Sequence, residues 1–368
     1  MRRFLKSALL VASSCMMLLS FSIAGAEPSR QLNIYNWNDF IDPAVIEAFT
    51  KETGIKVKYD VYDNDEILQT KLLAGGSGYD LVVPSGTFLS QEIAAGALKK
   101  LDRARLKNIG NLDPALEQRA QAYDKGNQHA IVYLWGTTGI GYNEAKIKAV
   151  MPDAPVNSWE LVFKPENIKK FASCGVYFLD SPDDVLPSML VYLGLDPDSK
   201  NPADIKAAGE ALGKIRPFIQ KFHSSEYVNA LANGDICIAV GYSGDIRQAA
   251  QRAAEAKNNQ VIRYVAPDQG AQIFLNFFAV PADAKNVDEV YEFLDFMMRP
   301  EVVAKVTNFV GYPNGNAQSL KFVEDAVKSD PAVYPSDLAM KRLFAKSPYD
   351  QKTQRLVTRT WTKVLTNK

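Results

Sequence analysis

The chain has 368 residues and carries 42 basic and 42 acidic side chains, so its formal net charge is zero. This length suits two domains of ordinary size, each large enough for a hydrophobic core. The chain has no basic tract, which argues against nucleic acid or an anionic membrane as its main partner.

Residues 1–26 have the three parts of a secretory signal. Arg2, Arg3 and Lys6 form a basic start, an apolar stretch follows, and Ala24-Gly25-Ala26 is a small-residue cleavage site. A lipid anchor on Cys15 is the less favoured alternative, because little apolar sequence precedes it. We therefore expect an exported protein, cleaved near Ala26. Removing those three basic residues leaves 39 basic against 42 acidic side chains.

Short apolar runs alternate with amphipathic ones along the mature chain. We predict strands at 32–35, 57–62, 80–83, 130–135, 175–179, 235–240, 261–265 and 273–280. A helix is predicted after Asp42, which can cap it, with Pro43 at its first position and Gly54 at its end. Further helices are predicted after Ser181 and over 246–257. Strands alternating with helices indicate an α/β fold with largely parallel sheets.

Three apolar runs end in an aromatic residue that is paired with a carboxylate or an amide. They are 32–40, 236–245 and 274–277. Aromatic faces attract organic cations by about 0.5–2 kcal/mol each, and a carboxylate adds a counter-charge and a charge-assisted hydrogen bond. Ligands of open α/β sheets bind at the carboxyl ends of strands. If these junctions converge, they form a slot for a small ammonium compound.

The mature chain keeps two cysteines, Cys174 and Cys237, each beside an apolar strand-like run. In an exported protein two cysteines favour one disulfide, which would contribute about 4 kcal/mol by the chain-entropy model. Two buried free thiols are the alternative. The sequence has no CxxC pair, so neither a zinc site nor a redox motif is supported.

The sequence gives little support for an enzyme. Its two histidines, His129 and His223, belong to no HExxH motif, and neither a GxSxG elbow nor a P-loop is present. His223 follows the pattern of a surface or capping residue rather than that of a catalytic base. We expect a binding protein without a cofactor. A sensor that signals ligand presence to a membrane partner stays open.

Several motifs resemble those of the periplasmic polyamine-binding proteins, and the putrescine-binding branch matches better than the spermidine branch. They are Ile34-Tyr35-Asn36-Trp37 with Asp39, Val82-Val83-Pro84-Ser85, Phe222-His223-Ser224-Ser225, Trp361-Thr362-Lys363 and the segments 136–143, 231–235 and 281–284. The resemblance covers essentially the whole mature chain. It implies a two-lobed fold, each lobe a mainly parallel sheet flanked by helices. Such a monomer closes on a small amine and delivers it to an inner-membrane ABC permease.

The same resemblance implies the lobe boundaries and the disulfide. Lobe one would comprise about 27–134 plus 259–308, and lobe two about 135–258 plus 309–368. Cys174 and Cys237 would form the disulfide, in agreement with the compartment argument.

Position by position, the resemblance implies a ligand site of aromatic walls and polar groups. The walls are Trp37, Phe40, Tyr242, Phe274 and Tyr312. The polar members are Asn38, Asp39, Ser85, Asp184, Asp245 and Asn276. Asp245 would bind one ammonium directly, and Asp184 would reach the ligand through water. Asp39 is either an acid of the slot or a turn residue, Asp184 and Asp245 also suit helix N-termini, and Thr87 is as well explained by helix capping.

Asn276 is the main departure from the resemblance. Putrescine-type members carry an aspartate there for the second ammonium, and burying a cation without a compensating charge costs several kcal/mol. Arg247 is a second oddity, since it would repel a diamine if it reached the cleft instead of the outer helix face. A diamine such as putrescine, cadaverine or agmatine stays the first expectation. A monocationic or zwitterionic ligand such as 4-aminobutyrate or 5-aminovalerate is the alternative.

Overall fold

The computed structural model describes residues 30–366. The predicted signal segment and Cys15 lie outside these residues. The described part of the chain contains ten strands: β1 (Gln31–Trp37), β2 (Lys56–Tyr62), β3 (Leu81–Val82), β4 (Ala130–Asn143), β5 (Val176–Phe178), β6 (Lys221–Phe222), β7 (Ile238–Tyr242), β8 (Ile262–Val265), β9 (Ala271–Ala279) and β10 (Leu343–Phe344).

Helices cover both faces of this sheet layer. They are α1 (Pro43–Thr53), α2 (Asp65–Ala74), α3 (Gly86–Ala94), α4 (Pro114–Ala120), α5 (Glu144–Val150), α6 (Glu160–Phe163), α7 (Pro165–Phe171), α8 (Pro182–Tyr192), α9 (Pro202–Ile215), α10 (Tyr227–Asn233), α11 (Ser243–Glu255), α12 (Val287–Met297), α13 (Pro300–Val310), α14 (Asp325–Lys328), α15 (Asp337–Met340) and α16 (Gln351–Thr366).

The sheet is mixed, with the strand order β2-β1-β3-β9-β4-β7-β5-β6. β1 pairs in parallel with β2 and β3, and β5 pairs in parallel with β6 and β7. The long strands β4 and β9 are antiparallel to each other and join these two parallel groups. The predicted α/β fold is confirmed. The antiparallel pairs arise because β4 and β9 cross between the groups.

Local sequence signals explain the helix ends that position the site. Asp42 accepts a hydrogen bond from Ala44 N at 2.9 Å, and Gly54 ends α1 in the left-handed conformation with φ +75°. Ser181 precedes α8, but its hydroxyl donates to Asp184 Oδ2 at 2.7 Å instead of capping a backbone N–H. The predicted start of α1 is therefore confirmed in detail. At α8, Ser181 binds the carboxylate of Asp184 instead of capping the helix.

Each parallel group has its own hydrophobic core. Trp159, Phe171 and Phe178 lie in the core around β5 and β7, and Trp361 of α16 packs there too. The core around β1 and β3 includes Phe49. The segment 313–333 contacts the side of the molecule that contains β1 and β3. Asn314 and Asn316 form isolated bridges to Leu134 and Leu112, and Val323 packs with Ala304 of α13.

The predicted disulfide between Cys174 and Cys237 is present, with Cα atoms 5.7 Å apart and 63 residues between them in sequence. Cys174 precedes β5 and Cys237 precedes β7, so the bond joins the starts of two neighbouring strands. Among residues 30–366, no helix combines the length and apolar character needed to cross a bilayer.

Candidate functional site

A cleft of about 1050 Å³ lies where β1, β2, β3, β5 and β7 end. Ligand sites occur at such strand ends because the loops and helix starts that follow present their polar groups there. Every residue of the predicted ligand set lines this cleft: Trp37, Asn38, Asp39, Phe40, Ser85, Asp184, Tyr242, Asp245, Phe274, Asn276 and Tyr312. Thr87 lines it as well. Their contact with a ligand stays a prediction.

The cleft is strongly acidic. Seven carboxyl side chains line it against one lysine, Lys346; the acids are Asp39, Asp63, Asp65, Glu66, Asp183, Asp184 and Asp245. No group of three or more His, Cys, Asp or Glu within residues 30–366 has the arrangement of a metal site. The excess of negative charge in a partly enclosed cleft therefore favours an organic cation as the ligand.

Asp245 is held by two tyrosine hydroxyls. Tyr227 donates to Asp245 Oδ2 and Tyr312 donates to Oδ1, both at 2.6 Å. Burial raises the pKa of Asp245 to about 6, while the two hydroxyl donors hold it lower than burial alone would. The result is a carboxylate of fixed orientation that is ionised at neutral pH. Two of its lone-pair positions stay available for a ligand.

Asp184 is fully occupied by hydrogen bonds within the protein. Its Oδ1 accepts from Thr138 Oγ1 at 2.7 Å and from Gln272 Nε2 at 3.4 Å. Its Oδ2 accepts from Ser181 Oγ at 2.7 Å and from Tyr242 OH at 3.0 Å. Burial raises its pKa, and these donors oppose the rise. Asp184 therefore fixes the position of the Tyr242 ring, besides contributing negative charge to the cleft.

Four of the five predicted aromatic residues pack edge to face in one row, in the order Phe40, Tyr312, Phe274 and Tyr242. Tyr242 and Phe274 have ring centroids 5.1 Å apart, and Phe40 and Tyr312 have centroids 5.0 Å apart. Trp37 packs against Tyr62 at 4.9 Å. A Cβ atom at Gly136 would lie 2.7 Å from Phe274, so glycine is needed there for the ring to reach the cleft. Each ring face can contact the methylene chain or ammonium of an amine.

Asp39 lies at the rim and is paired within the protein. Its Oδ2 lies 2.8 Å from Arg252 Nη2 on α11, and Gln248 of the same helix donates to its backbone oxygen at 3.3 Å. Both readings of the sequence thus apply: Asp39 lines the cleft and also fixes the turn after β1. Its charge is largely balanced by Arg252, so it offers less to a cationic ligand than Asp245 does.

Asn276 and Ser85 lie next to each other and are linked by an isolated antiparallel bridge. With its amide oxygen toward Trp37, Asn276 accepts from Trp37 Nε1 and donates to Leu275 O, both at 3.2 Å. Ser85 does not cap α3 with its side chain; its hydroxyl donates to Asp65 Oδ2 at 2.6 Å. The uncharged Asn276 is therefore adjacent to a carboxyl group through Ser85.

Arg247 lies outside the cleft. Its Nε is 3.4 Å from Asp330 Oδ2, so its charge is directed away from the ligand set. The two histidines also lie outside: His129 Nδ1 is 2.9 Å from Asp124 Oδ1, and His223 Nδ1 accepts from Ser225 N at 3.2 Å. The sequence left open whether Arg247 reaches the cleft and gave the two histidines little support as catalytic residues. In the structure all three make contacts outside the cleft.

Several cleft residues were missed by sequence reasoning. Asp65 follows Tyr62 at the end of β2, which repeats the aromatic-acid pattern and could have been recognised. Asp183 and Lys346 form an ion pair of 3.4 Å, and Lys346 lies 3.6 Å from the Tyr349 ring centroid. Lys346 comes from a loop near the C-terminus, and no local pattern signals that this loop reaches the cleft.

Comparison with known proteins identifies the family. A family model described as bacterial extracellular solute-binding protein matches residues 44–335. The chain is 50% identical, over the full length of both, to the putrescine-binding periplasmic protein SpuD of Pseudomonas aeruginosa. It is 46% identical, over 97% of each chain, to the putrescine-binding periplasmic protein PotF of Escherichia coli.

Solved structures agree with this assignment. The spermidine/putrescine ABC transporter substrate-binding protein PotD of Streptococcus pneumoniae has a TM-score of 0.74 at 30% identity, covering 92% of this chain and 99% of that chain. The prediction of a binding protein instead of an enzyme is thereby confirmed. The chain belongs to the bacterial extracellular solute-binding proteins, in the branch that contains the putrescine-binding periplasmic proteins.

Proposed function

We propose that this protein binds putrescine or a closely related diamine in the periplasm and delivers it to an inner-membrane ABC permease. The observation that carries the proposal is the cleft itself, in which seven carboxyl groups face one lysine between aromatic walls. Asp245 anchors one ammonium, and the rings of Tyr242, Phe274 and Tyr312 enclose the methylene chain. The names of the full-length relatives point to the same class of ligand.

Binding proceeds by closure of two lobes, since a ligand that contacts both lobes stabilises the closed state by its differential affinity. We keep the lobe boundaries expected from the sequence, 27–134 plus 259–308 and 135–258 plus 309–368, with one change. The segment 313–333 is assigned to lobe one because its contacts are with Leu112, Leu134 and Ala304. The protein acts as a monomer, and its signal segment is removed near Ala26.

Calorimetric titration of ligand-free protein tests the proposal. Putrescine, cadaverine and agmatine are compared with 4-aminobutyrate and 5-aminovalerate, which keep one ammonium but replace the other with a carboxylate. Diamines should bind with one site per monomer and the ω-amino acids should bind far more weakly. Tighter binding of an ω-amino acid than of any diamine would contradict the proposal and favour the zwitterionic alternative.

Delivery and location need separate tests. Uptake of labelled putrescine into cells that carry a polyamine permease but lack its binding protein should be restored by this chain. If the protein binds putrescine but does not restore uptake, a sensor would be favoured. Sequencing of the mature N-terminus from an osmotic-shock fraction should begin at Glu27.

A further inference from the structure

Asp65 is a buried carboxyl group of the cleft that has no cationic partner among the residues described by the structure. It is 7% exposed, begins α2 directly after β2, and lines the cleft. Ser85 N donates to its Oδ1 at 3.1 Å and Ser85 Oγ donates to its Oδ2 at 2.6 Å. None of the ion pairs formed within residues 30–366 includes Asp65. A buried carboxylate without a counter-charge is unfavourable, so this position suits a cation supplied from outside.

The groups around Asp65 make its need for a cation stronger. Glu66 lies beside it on α2, Asp183 faces it from α8, and Glu92 of α3 is fully buried with both carboxyl oxygens unpartnered. Burial raises the pKa of Asp65 to about 8, and Glu66 and Asp183 add to the rise. The one cleft lysine, Lys346, is paired with Asp183. Near neutral pH, Asp65 therefore keeps its proton until a cation arrives.

Asp65 also lies next to the position that lacks a charge. Ser85, which holds both Asp65 oxygens, is the bridge partner of Asn276. Tyr242 lines the same cleft as Asp65 and Asp245. Burial and the contact with Asp184 raise the pKa of its hydroxyl, and Asp65 and Asp245 add to the rise. One extended ligand lying along the Tyr242 ring can thus approach both carboxyl groups.

We propose that Asp65 is the second carboxylate of the site, which supplies the charge that Asn276 lacks and so selects dications over monocations. This inference rests on the proposed function. A carboxylate accepts about four hydrogen bonds, so the two Ser85 donors leave room for an ammonium. On binding, the neutral Asp65 carboxyl releases its proton to solvent and the resulting carboxylate pairs with the ammonium. The N-terminus of α2 favours this ionised form.

The test compares putrescine with butylamine, which has one ammonium on the same carbon chain. Asp65→Asn keeps the shape of the side chain and removes its charge. We expect putrescine to bind roughly 30-fold or more weakly, because a buried charge partner is lost, while butylamine affinity stays unchanged. Adding Asn276→Asp should restore putrescine binding in the double variant, since a carboxylate then stands on the other side of Ser85. Thermal unfolding of each variant checks that it is folded.

Proton release provides an independent readout. Titrations at pH 7 in buffers of different ionisation enthalpy should show that putrescine expels a proton from the wild type and not from Asp65→Asn. Equal putrescine affinity in the two proteins, equal loss of both amines, or a double variant no tighter than Asp65→Asn would each overturn the role of Asp65. A wild type that binds neither amine would instead overturn the proposed function.

Discussion

Each acidic end of the cleft is formed by an aspartate, Asp245 or Asp65, and the surroundings of these two aspartates differ. At one end, two tyrosine hydroxyls at 2.6 Å hold Asp245, and its pKa rises only to about 6. At the other end, one serine holds Asp65 among further acids, and its pKa rises to about 8. At neutral pH the first group is an ionised anchor and the second becomes ionised when a cation binds. With the roles proposed for the two acids, Asp245 captures any amine and Asp65 selects for a second ammonium.

Loss of the anchor should have the largest effect. Asp245→Asn should weaken putrescine and butylamine alike, by roughly 100-fold or more, since both need the same charge-assisted contact. The affinities are measured by calorimetry. Asp325→Asn is the matched control, because Asp325 is exposed and pairs with Lys328 outside the cleft. If Asp245→Asn binds both amines with near wild-type affinity, Asp245 does not bind the ammonium.

Lowering the pH should have the second largest effect, and it should weaken putrescine binding more than butylamine binding. Both pKa values are raised, so the neutral acids accumulate as the pH falls, while the amines stay protonated. Protonation of Asp245 alone should weaken butylamine binding about tenfold between pH 7 and pH 5. Putrescine should lose more over the same range because Asp65 must also give up its proton. Affinity measured across pH 5 to 8 checks this, and a flat profile for putrescine would contradict the assignment of both acids.

The two tyrosine hydroxyls that hold Asp245 can be reduced to one without removing the charge of Asp245. Tyr312→Phe deletes the donor to Asp245 Oδ1 and also the acceptor for Asp245 N at 3.2 Å. The anchor should then orient less well and its pKa should rise, so both amines should bind roughly tenfold more weakly at pH 7. Raising the pH should recover part of the loss. No recovery would indicate that Tyr312 acts through packing alone.

The aromatic wall should contribute less per residue than the charges. Trp37→Leu removes one ring face and the indole N–H, which Val83 O at 2.8 Å and Asn276 at 3.2 Å share as acceptors. It should weaken putrescine binding by roughly 3- to 30-fold. Phe322→Leu, at an exposed aromatic away from the cleft, is the control. Equal affinities in the two variants would show that Trp37 is a packing residue.

The rim contact should have the smallest effect. Arg252→Gln breaks the 2.8 Å pair with Asp39, which is partly exposed, and such pairs contribute about 0–1 kcal/mol. We expect faster putrescine dissociation in stopped-flow measurements, with affinity changed less than about fivefold. A loss as large as that of Asp245→Asn would mean that closure depends on this one pair.

Much of this architecture can be predicted from the sequence because local signals are strong. The start of α1 at Asp42-Pro43 and the strand-end pattern at Tyr242 and Asp245 follow from local rules. The two-residue strands β6 and β10 carry too little pattern to detect. The strand predicted at 130–135 is too short, since β4 continues to Asn143. Its glycines allow close packing by rings such as Phe274.

Contacts made by tertiary structure alone could not be predicted. Tyr227 begins a helix and reads as a core residue, yet its hydroxyl holds Asp245 from 18 positions away. Lys346 enters from a loop that no periodicity places. Asp65 forms no ion pair within residues 30–366, and this depends on how the whole fold places the basic side chains.

A crystal structure of the complex with putrescine would show where both nitrogens bind. We expect one ammonium within hydrogen-bond distance of Asp245 and the other within reach of Asp65, with the methylene chain against Tyr242 and Phe274. Electron density for putrescine outside this cleft, or with neither nitrogen near a carboxylate, would contradict this expectation.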